Sequence, residues 1–153
     1  LGGVNDDEIS DFVELTRERP WQVRFIERMP MGTCDDYGAY LPARAVLERC
    51  PALTSCGSDG VASLYRLPDS RGTVGLITPL SHEFCAACSR IRITADGRLK
   101  PCLHSDAEIA LRGLSGAELE QAIRRGVLAK PAQHHLNAEG VTETHRAMNE
   151  IGG

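Results

Sequence analysis

The sequence of 153 residues contains no apolar run approaching the roughly 20 residues that a membrane-spanning helix needs. Its first residues also lack the basic-then-apolar pattern of a secretory signal. Positive charge is not in excess: the formal net charge is -4, whereas a protein that grips nucleic-acid phosphates presents a basic face. Internal repeats, low-complexity tracts and a clear linker are missing too. One soluble domain, or part of one, is therefore expected, cytoplasmic, with neither membrane nor nucleic acid among its partners.

What is present fits that frame. Hydrophobic residues make up 42% and charged residues 25% of the chain, enough for a sizeable core. Leu1 is not a methionine and the chain opens on Gly2-Gly3 with no element before it, which predicts a chain cut from a longer one. Charge is unevenly distributed. Residues 1–19 hold six acids against two arginines, whereas residues 85–104 hold Arg90, Arg92, Arg98 and Lys100 against Asp96 alone. The acidic stretch reads as solvated surface and the basic segment as one that faces an anion.

Asn5 with Glu8 three residues later forms a capping-box pattern that predicts a helix from about residue 6 to 17, with Ile9, Phe12, Val13 and Thr16 on one face. Pro20 ends it, and residues 22–27 read as a strand with Val23 and Phe25 on one side and Arg24 and Ile26 on the other. Pro30 to Tyr40 reads as loop, and Pro42 opens a short helix to about Cys50. Residues 61–67 and 73–78 read as strands joined by a turn at Pro68–Gly72. Residues 90–94 and 98–102 form a second pair around Asp96-Gly97, a strong hairpin signal. Two helices follow, at about 107–112 and 116–126, the latter capped by Ser115 with Glu118. The rhythm is α/β going to α+β with antiparallel hairpins.

Six cysteines without a secretory signal point away from a disulfide framework and toward metal or redox use of the clustered ones. Cys85-Ala86-Ala87-Cys88, then thirteen residues, then Cys102, places two thiols on a tight loop and returns a third by the hairpin. Zinc would want a fourth ligand, which His104 could supply as a Cys3His site. Iron-sulfur clusters usually take four cysteines, so three leave one iron open to a ligand. Arg90, Arg92 and Thr94 alternate along the departing strand, and two forked guanidiniums on one face suit a phosphorylated or carbonyl-bearing ligand. The plainer alternatives are buried cysteines acting as small hydrophobes and an arginine ladder on a solvated strand. Cys34, Cys50 and Cys56 read as free thiols, and His134 and His135 as surface or interface residues.

The stretch from Phe84 to Gly97, followed by Cys102-Leu103, resembles the GTP 3',8-cyclases of molybdenum cofactor biosynthesis. Further matches are Val4 to Ile9, Val23 to Glu27 with Met29, Gly75-Leu76-Ile77 and the terminal Ile151-Gly152-Gly153, so the resemblance runs along nearly the whole chain in order. Two departures stand out: Ser89 where the family has asparagine, and Leu103-His104-Ser105 where it has a more apolar, glycine-containing run.

The resemblance implies that residues 1–30 are the C-terminal remnant, the last helix and strand, of an incomplete TIM-like radical S-adenosylmethionine barrel. Residues 31–153 would be a [4Fe-4S] and GTP-binding domain of antiparallel hairpins with C-terminal helices. Cys85, Cys88 and Cys102 would hold the cluster, whose open iron meets guanine. Arg90, Ile91 and Arg92 match the GTP-binding stretch, Arg24 an arginine that reaches substrate, and Met29 a contact to S-adenosylmethionine. Gly152 and Gly153 match a tail that reaches the active site. A second cluster and its S-adenosylmethionine would belong to a Cys-x3-Cys-x2-Cys loop that this sequence does not contain, so the isolated chain is expected to be inactive. The partners implied are GTP and a downstream pyranopterin synthase component, with a homodimer left open. Two readings from other classes stand beside it: a zinc-stabilised binding module, and a different radical enzyme whose auxiliary cluster serves a peptide or other substrate.

Overall fold

The computed structural model describes residues 1–29, 31, 38–82, 84–134, 136 and 142–151. It divides into one unit of residues 1–29 and 36–87 and a second of residues 30–35 and 88–153.

In the first unit, helix α1 covers Ile9–Glu18, later than the capping pattern predicts. The capping box does not form. The Glu8 amide bonds to the Asn5 carbonyl at 3.3 Å, not to its side chain, and Asp6 is taken by the Gly3 amide and by Arg49, each at 2.6 Å. Ile9, Val13 and Thr16 face inward as expected, while Phe12 is exposed, because the buried stripe of this helix is only that wide.

Strand β1, Gln22–Ile26, runs parallel to β4, Thr73–Ile77, with Val23 opposite Val74 and Phe25 opposite Leu76. Strand β3, Ala62–Arg66, joins β4 antiparallel, and β2, Thr54–Asp59, completes a sheet of order β1-β4-β3-β2. β4 lies inside this sheet, which accounts for its nearly continuous apolar run. β2 went unread in the sequence because Thr-Ser-Cys-Gly-Ser-Asp has no apolar alternation. It is an exposed edge, held by its ladder to β3 and interrupted by a bulge between Ser55 and Gly57. Helix α2, Arg44–Arg49, is shorter than predicted and packs Val46 into a cluster with Ile9, Val13, Leu53, Val74 and Leu76.

Gly72 closes this unit at the turn between β3 and β4. A Cβ there would stand 2.2 Å from the Trp21 carbonyl oxygen and 2.7 Å from that of Arg19, so backbone passes where any side chain would be. One parallel pair does not make a barrel, and the barrel stays an implication of the resemblance.

The second unit carries a three-stranded antiparallel sheet of β5 (Arg92–Ile93), β6 (Arg98–Lys100) and β7 (Ile109–Ala110). The hairpin turns at Gly97, whose φ of 80° suits glycine. Both arms are shorter than predicted. Residues 107–112 are not a helix: Ile109 and Ala110 pair with Leu99 and Arg98, and six residues of weak pattern extend the open edge of the hairpin more readily than they nucleate a helix.

Helix α3, Gly116–Leu128, begins at Ser115 as expected, but that residue makes no side-chain cap. The helix also continues through Gly126, which is no terminator. A Cβ at Gly126 would fall 1.7 Å from Leu99 Cδ2, so the glycine lets the helix lie against β6. A single α-helix follows the hairpin among the described residues, with a 3-10 turn at Met148–Glu150.

Candidate functional site

Cys85 opens a 3-10 turn, Cys85–Ala87, Cys88 follows it, and Cys102 lies in the bend after β6. All three are free and half-buried. The division between the two units falls between Ala87 and Cys88, so Cys88 and Cys102 share the second unit while Cys85 belongs to the first. Among the described residues no group of three or more His, Cys, Asp or Glu is arranged to hold a metal ion. As a donor set the three thiols suit a thiophilic centre, and the ammonium of Lys130 stands 3.6 Å from Cys88 Sγ, within donating distance of the sulfur.

The hairpin arms bring further groups to the same unit. Arg92 pairs with Lys100, so the arm from Cys88 and the arm to Cys102 leave the ladder side by side. Arg90 is exposed and lies before the strand, so the predicted alternation of Arg90, Arg92 and Thr94 is not one continuous face: Thr94 is buried and bonds to Arg98 within the turn. Among the described residues, neither the Arg90 nor the Arg92 guanidinium makes a hydrogen bond or ion pair. Ile91 between them is exposed.

Arg98 and Lys100 behave differently from that pair. The anion they face is internal: Arg98 is 3.3 Å from Asp96 and 3.8 Å from Glu108, and Lys100 is 3.9 Å from Glu108 while donating to the Ser105 carbonyl. Arg146 binds Glu108 through two bonds, of 2.6 and 2.9 Å, and reaches Asp96 at 3.0 Å. The Thr94 hydroxyl and then Arg146 hold the Asp96 carboxyl at about 2. Lys100 is wholly buried, and burial lowers its pKa against the pull of Glu108. No sequence signal marked Glu108 or Arg146, since 38 residues separate them.

His104, named as a fourth zinc ligand, is buried; its Nδ1 lies 3.5 Å from the Thr142 hydroxyl and its ring meets His134 edge to face at 5.3 Å. Burial, then the charges of His134, Lys100 and Arg92, push it down to about 4, so it is neutral at ordinary pH. Lys130 also escaped sequence reading. It follows α3, and besides Cys88 its ammonium donates to the Arg90 carbonyl at 2.8 Å and the Pro101 carbonyl at 3.2 Å.

In the first unit, Arg24 projects from β1 beside Gly75, where a Cβ would meet Arg24 Cγ at 3.2 Å. Its guanidinium is occupied by Gln22 at 2.6 Å and by Asp59. Arg24 also lines a cavity of about 360 Å³ together with Val23, Phe25, Ile26, Glu27 and Arg28. Glu27, 2% exposed, accepts bonds from the amides of Ala43, Leu80 and Ser81 and from the Ser81 hydroxyl. Burial would raise its pKa, but the bonds from Ser81, Ala43 and Leu80 outweigh burial and hold the carboxyl below its ordinary value. Met29, half-buried, follows two residues on. Gly152, Gly153, Cys34 and His135 lie outside the described residues, whereas Cys50 and Cys56 are free thiols as expected.

A family model described as Molybdenum Cofactor Synthesis C matches residues 21–136. The chain is 46% identical to a GTP 3',8-cyclase of Moorella thermoacetica, over 99% of its own length and 50% of the relative's. It is 42% identical to a GTP 3',8-cyclase of Alkaliphilus metalliredigens and 40% identical to one of Alkaliphilus oremlandii, in both cases over 100% of its own length and 50% of the relative's. The chain therefore spans about half the length of the curated relatives it matches. No helix among the described residues is long and apolar enough to cross a membrane.

Proposed function

Because this chain belongs to the Molybdenum Cofactor Synthesis C family, we propose that it is the substrate-binding C-terminal half of a GTP 3',8-cyclase, an enzyme that converts GTP to (8S)-3',8-cyclo-7,8-dihydroguanosine 5'-triphosphate. The observation that carries the reading is the pair Arg90 and Arg92, which make no hydrogen bond or ion pair among the described residues, on the arm that leaves Cys88. Every other arginine or lysine of that segment is neutralised internally or buried. Two uncommitted guanidiniums beside a cysteine motif suit a ligand that carries phosphates and a carbonyl.

Cys85, Cys88 and Cys102 would hold a [4Fe-4S] cluster. With three protein ligands such a cluster would leave one iron open and would supply a Lewis-acidic contact for the purine base. Arg90 and Arg92 orient the nucleotide through charge-assisted bonds, Ile91 offers an apolar contact between them, and Arg24 exchanges Asp59 for a substrate anion. The contribution is positioning: a short-lived radical is productive only where the ribose hydrogen already lies in its path. Radical formation belongs to residues outside this sequence, with S-adenosylmethionine and a further cluster. Met29 would touch that cofactor, Gly152 and Gly153 would extend toward the nucleotide, residues 1–30 would be the C-terminal remnant of the barrel, and residues 31–153 the cluster and GTP-binding domain. A downstream pyranopterin synthase component would take the product.

The test is anaerobic reconstitution of the chain with iron and sulfide. Iron and acid-labile sulfide in equal amounts, GTP binding that weakens in Arg90→Ala and Arg92→Ala, and no consumption of S-adenosylmethionine are the expected results. A Cys102→Ala chain with unchanged iron and sulfide would sink the reading. Zinc near one per chain with no sulfide would replace it with the Cys3His module.

A further inference from the structure

Lys130 is the one cation of the second unit whose ammonium meets a cysteine sulfur among the described contacts. Its three polar neighbours are the Arg90 carbonyl at 2.8 Å, the Pro101 carbonyl at 3.2 Å and Cys88 Sγ at 3.6 Å. An ammonium has three protons, and three acceptors use all of them. The acceptors stand on two different arms: Cys88 and Arg90 on the segment entering β5, and Pro101, the neighbour of Cys102, on the segment leaving β6.

The backbone fixes the point from which this side chain departs, and the three acceptors hold its ammonium. α3 ends at Leu128, the Ala129 amide bonds to the Arg125 carbonyl at 2.8 Å, and the Lys130 amide bonds to the Val127 carbonyl at 3.3 Å. The stem therefore leaves a closed helix terminus, itself held to β6 by the contact of Gly126 with Leu99.

We propose that Lys130 is a positioning residue for the cysteine-held cluster: it ties the Cys88 arm to the Cys102 arm and donates to the Cys88 sulfur, raising the reduction potential of the centre. The inference rests on the proposed cluster ligation and goes beyond it, since it assigns a tuning residue outside the cysteine motif. A positive charge and a hydrogen bond at a thiolate ligand stabilise the more negative, reduced form of a cluster, and such partners are among the protein's levers on potential. The tether acts separately, by limiting how far the two arms can part.

The test is an EPR-monitored redox titration of the anaerobically reconstituted chain and its Lys130→Met, Lys130→Gln and Lys130→Arg variants, with iron and sulfide counted in each. Lys130→Met should hold less cluster, lose it faster to a chelator and titrate at a more negative midpoint. Lys130→Gln retains a neutral donor for the carbonyls, so it should keep more cluster than Lys130→Met with the midpoint still shifted. Lys130→Arg should restore the midpoint toward wild type. A wild-type midpoint in both Lys130→Gln and the residual cluster of Lys130→Met would overturn the proposal while leaving the cluster reading intact. A wild-type chain that assembles no iron-sulfur cluster would remove both.

Discussion

Residues 1–29 and 38–87 bury Ile9, Val13, Val46, Leu53, Val74 and Leu76 in one aliphatic cluster. The first unit also buries Thr16, Glu27 and Ser70, whereas residues 88–151 set fewer aliphatics, Leu99, Ala122, Leu136 and Ile151, beside the buried Lys100, His104, Thr94 and Thr144. Aliphatic burial needs no directional partner and scales with area. Buried cations and hydroxyls stabilise only when each finds its acceptor, as Lys100 does in the Ser105 carbonyl and Glu108. The second unit also has strands of only two or three residues. Small units of this kind gain most from an added staple. The proposed cluster would therefore matter to the stability of the second unit far more than to that of the first.

The largest break in this comparison is expected from Gly72→Val. Its side chain would occupy the space of the Trp21 and Arg19 carbonyls, so α1, β1 and β4 cannot keep their register. A loss of roughly 4 kcal/mol or more is expected, visible as lost amide protection in residues 9–77 while α3 keeps its own.

Next come the paired truncations Leu76→Ala and Leu99→Ala, each expected to cost about 2–5 kcal/mol. Both side chains are nearly inaccessible. Denaturant titration with and without reconstituted iron and sulfide sharpens the contrast: the cluster should offset the Leu99→Ala loss and leave the Leu76→Ala loss unchanged. Equal rescue of both would dissolve the difference between the units.

Acid titration gives a smaller effect of known sign. The Glu27 carboxyl is held below its ordinary value of 4.5 in the folded chain, so the unfolded chain binds the proton first. Its stabilisation is complete above that value and fades as pH falls through the folded one. Asp96 follows the same rule, its contribution fading as pH falls from 3.8 through about 2. Glu27→Gln should cost about 1–3 kcal/mol near neutral pH, through weakened bonds from the amides and hydroxyl it serves. It should also flatten the acid limb of the first unit's unfolding curve, and an unaltered limb would show that Glu27 is not the titrating group. The smallest effect is expected at the exposed pair of Arg124 and Glu120, where Arg124→Ala should change stability by at most about 0.5 kcal/mol.

How much was legible in the chain can be judged at single residues. Gln22–Ile26 and Thr73–Ile77 were readable because β-branched and apolar residues recur between turn residues, and Asp96-Gly97 announced its hairpin because only a few residue pairs tolerate that turn. Ile109 and Ala110 were misread as helix because six residues carry too little period to choose, and the choice was made by the free edge of β6. The same holds for β2, which is a strand only because β3 offers it a ladder. Within the candidate site, Cys85, Cys88, Cys102, Arg90 and Arg92 could be singled out because chemistry and spacing coincide in one short stretch. Lys130, Glu108 and Arg146 could not, since each acts across a gap of 29 to 42 residues.

The sequence alone determined the residue types that matter, the local turns and the family, because thiol spacing, turn chemistry and strand pattern are all written over short distances. Tertiary structure decided which charges cancel one another and which find no internal partner among the described residues. Arg98 and Lys100 carry the same formal charge as Arg90 and Arg92, and only the approach of Glu108 and Asp96 separates the two pairs. Neutralisation depends on distances of a few ångströms, and Glu108 comes within them of Arg98 and Lys100 only once β7 has paired with β6.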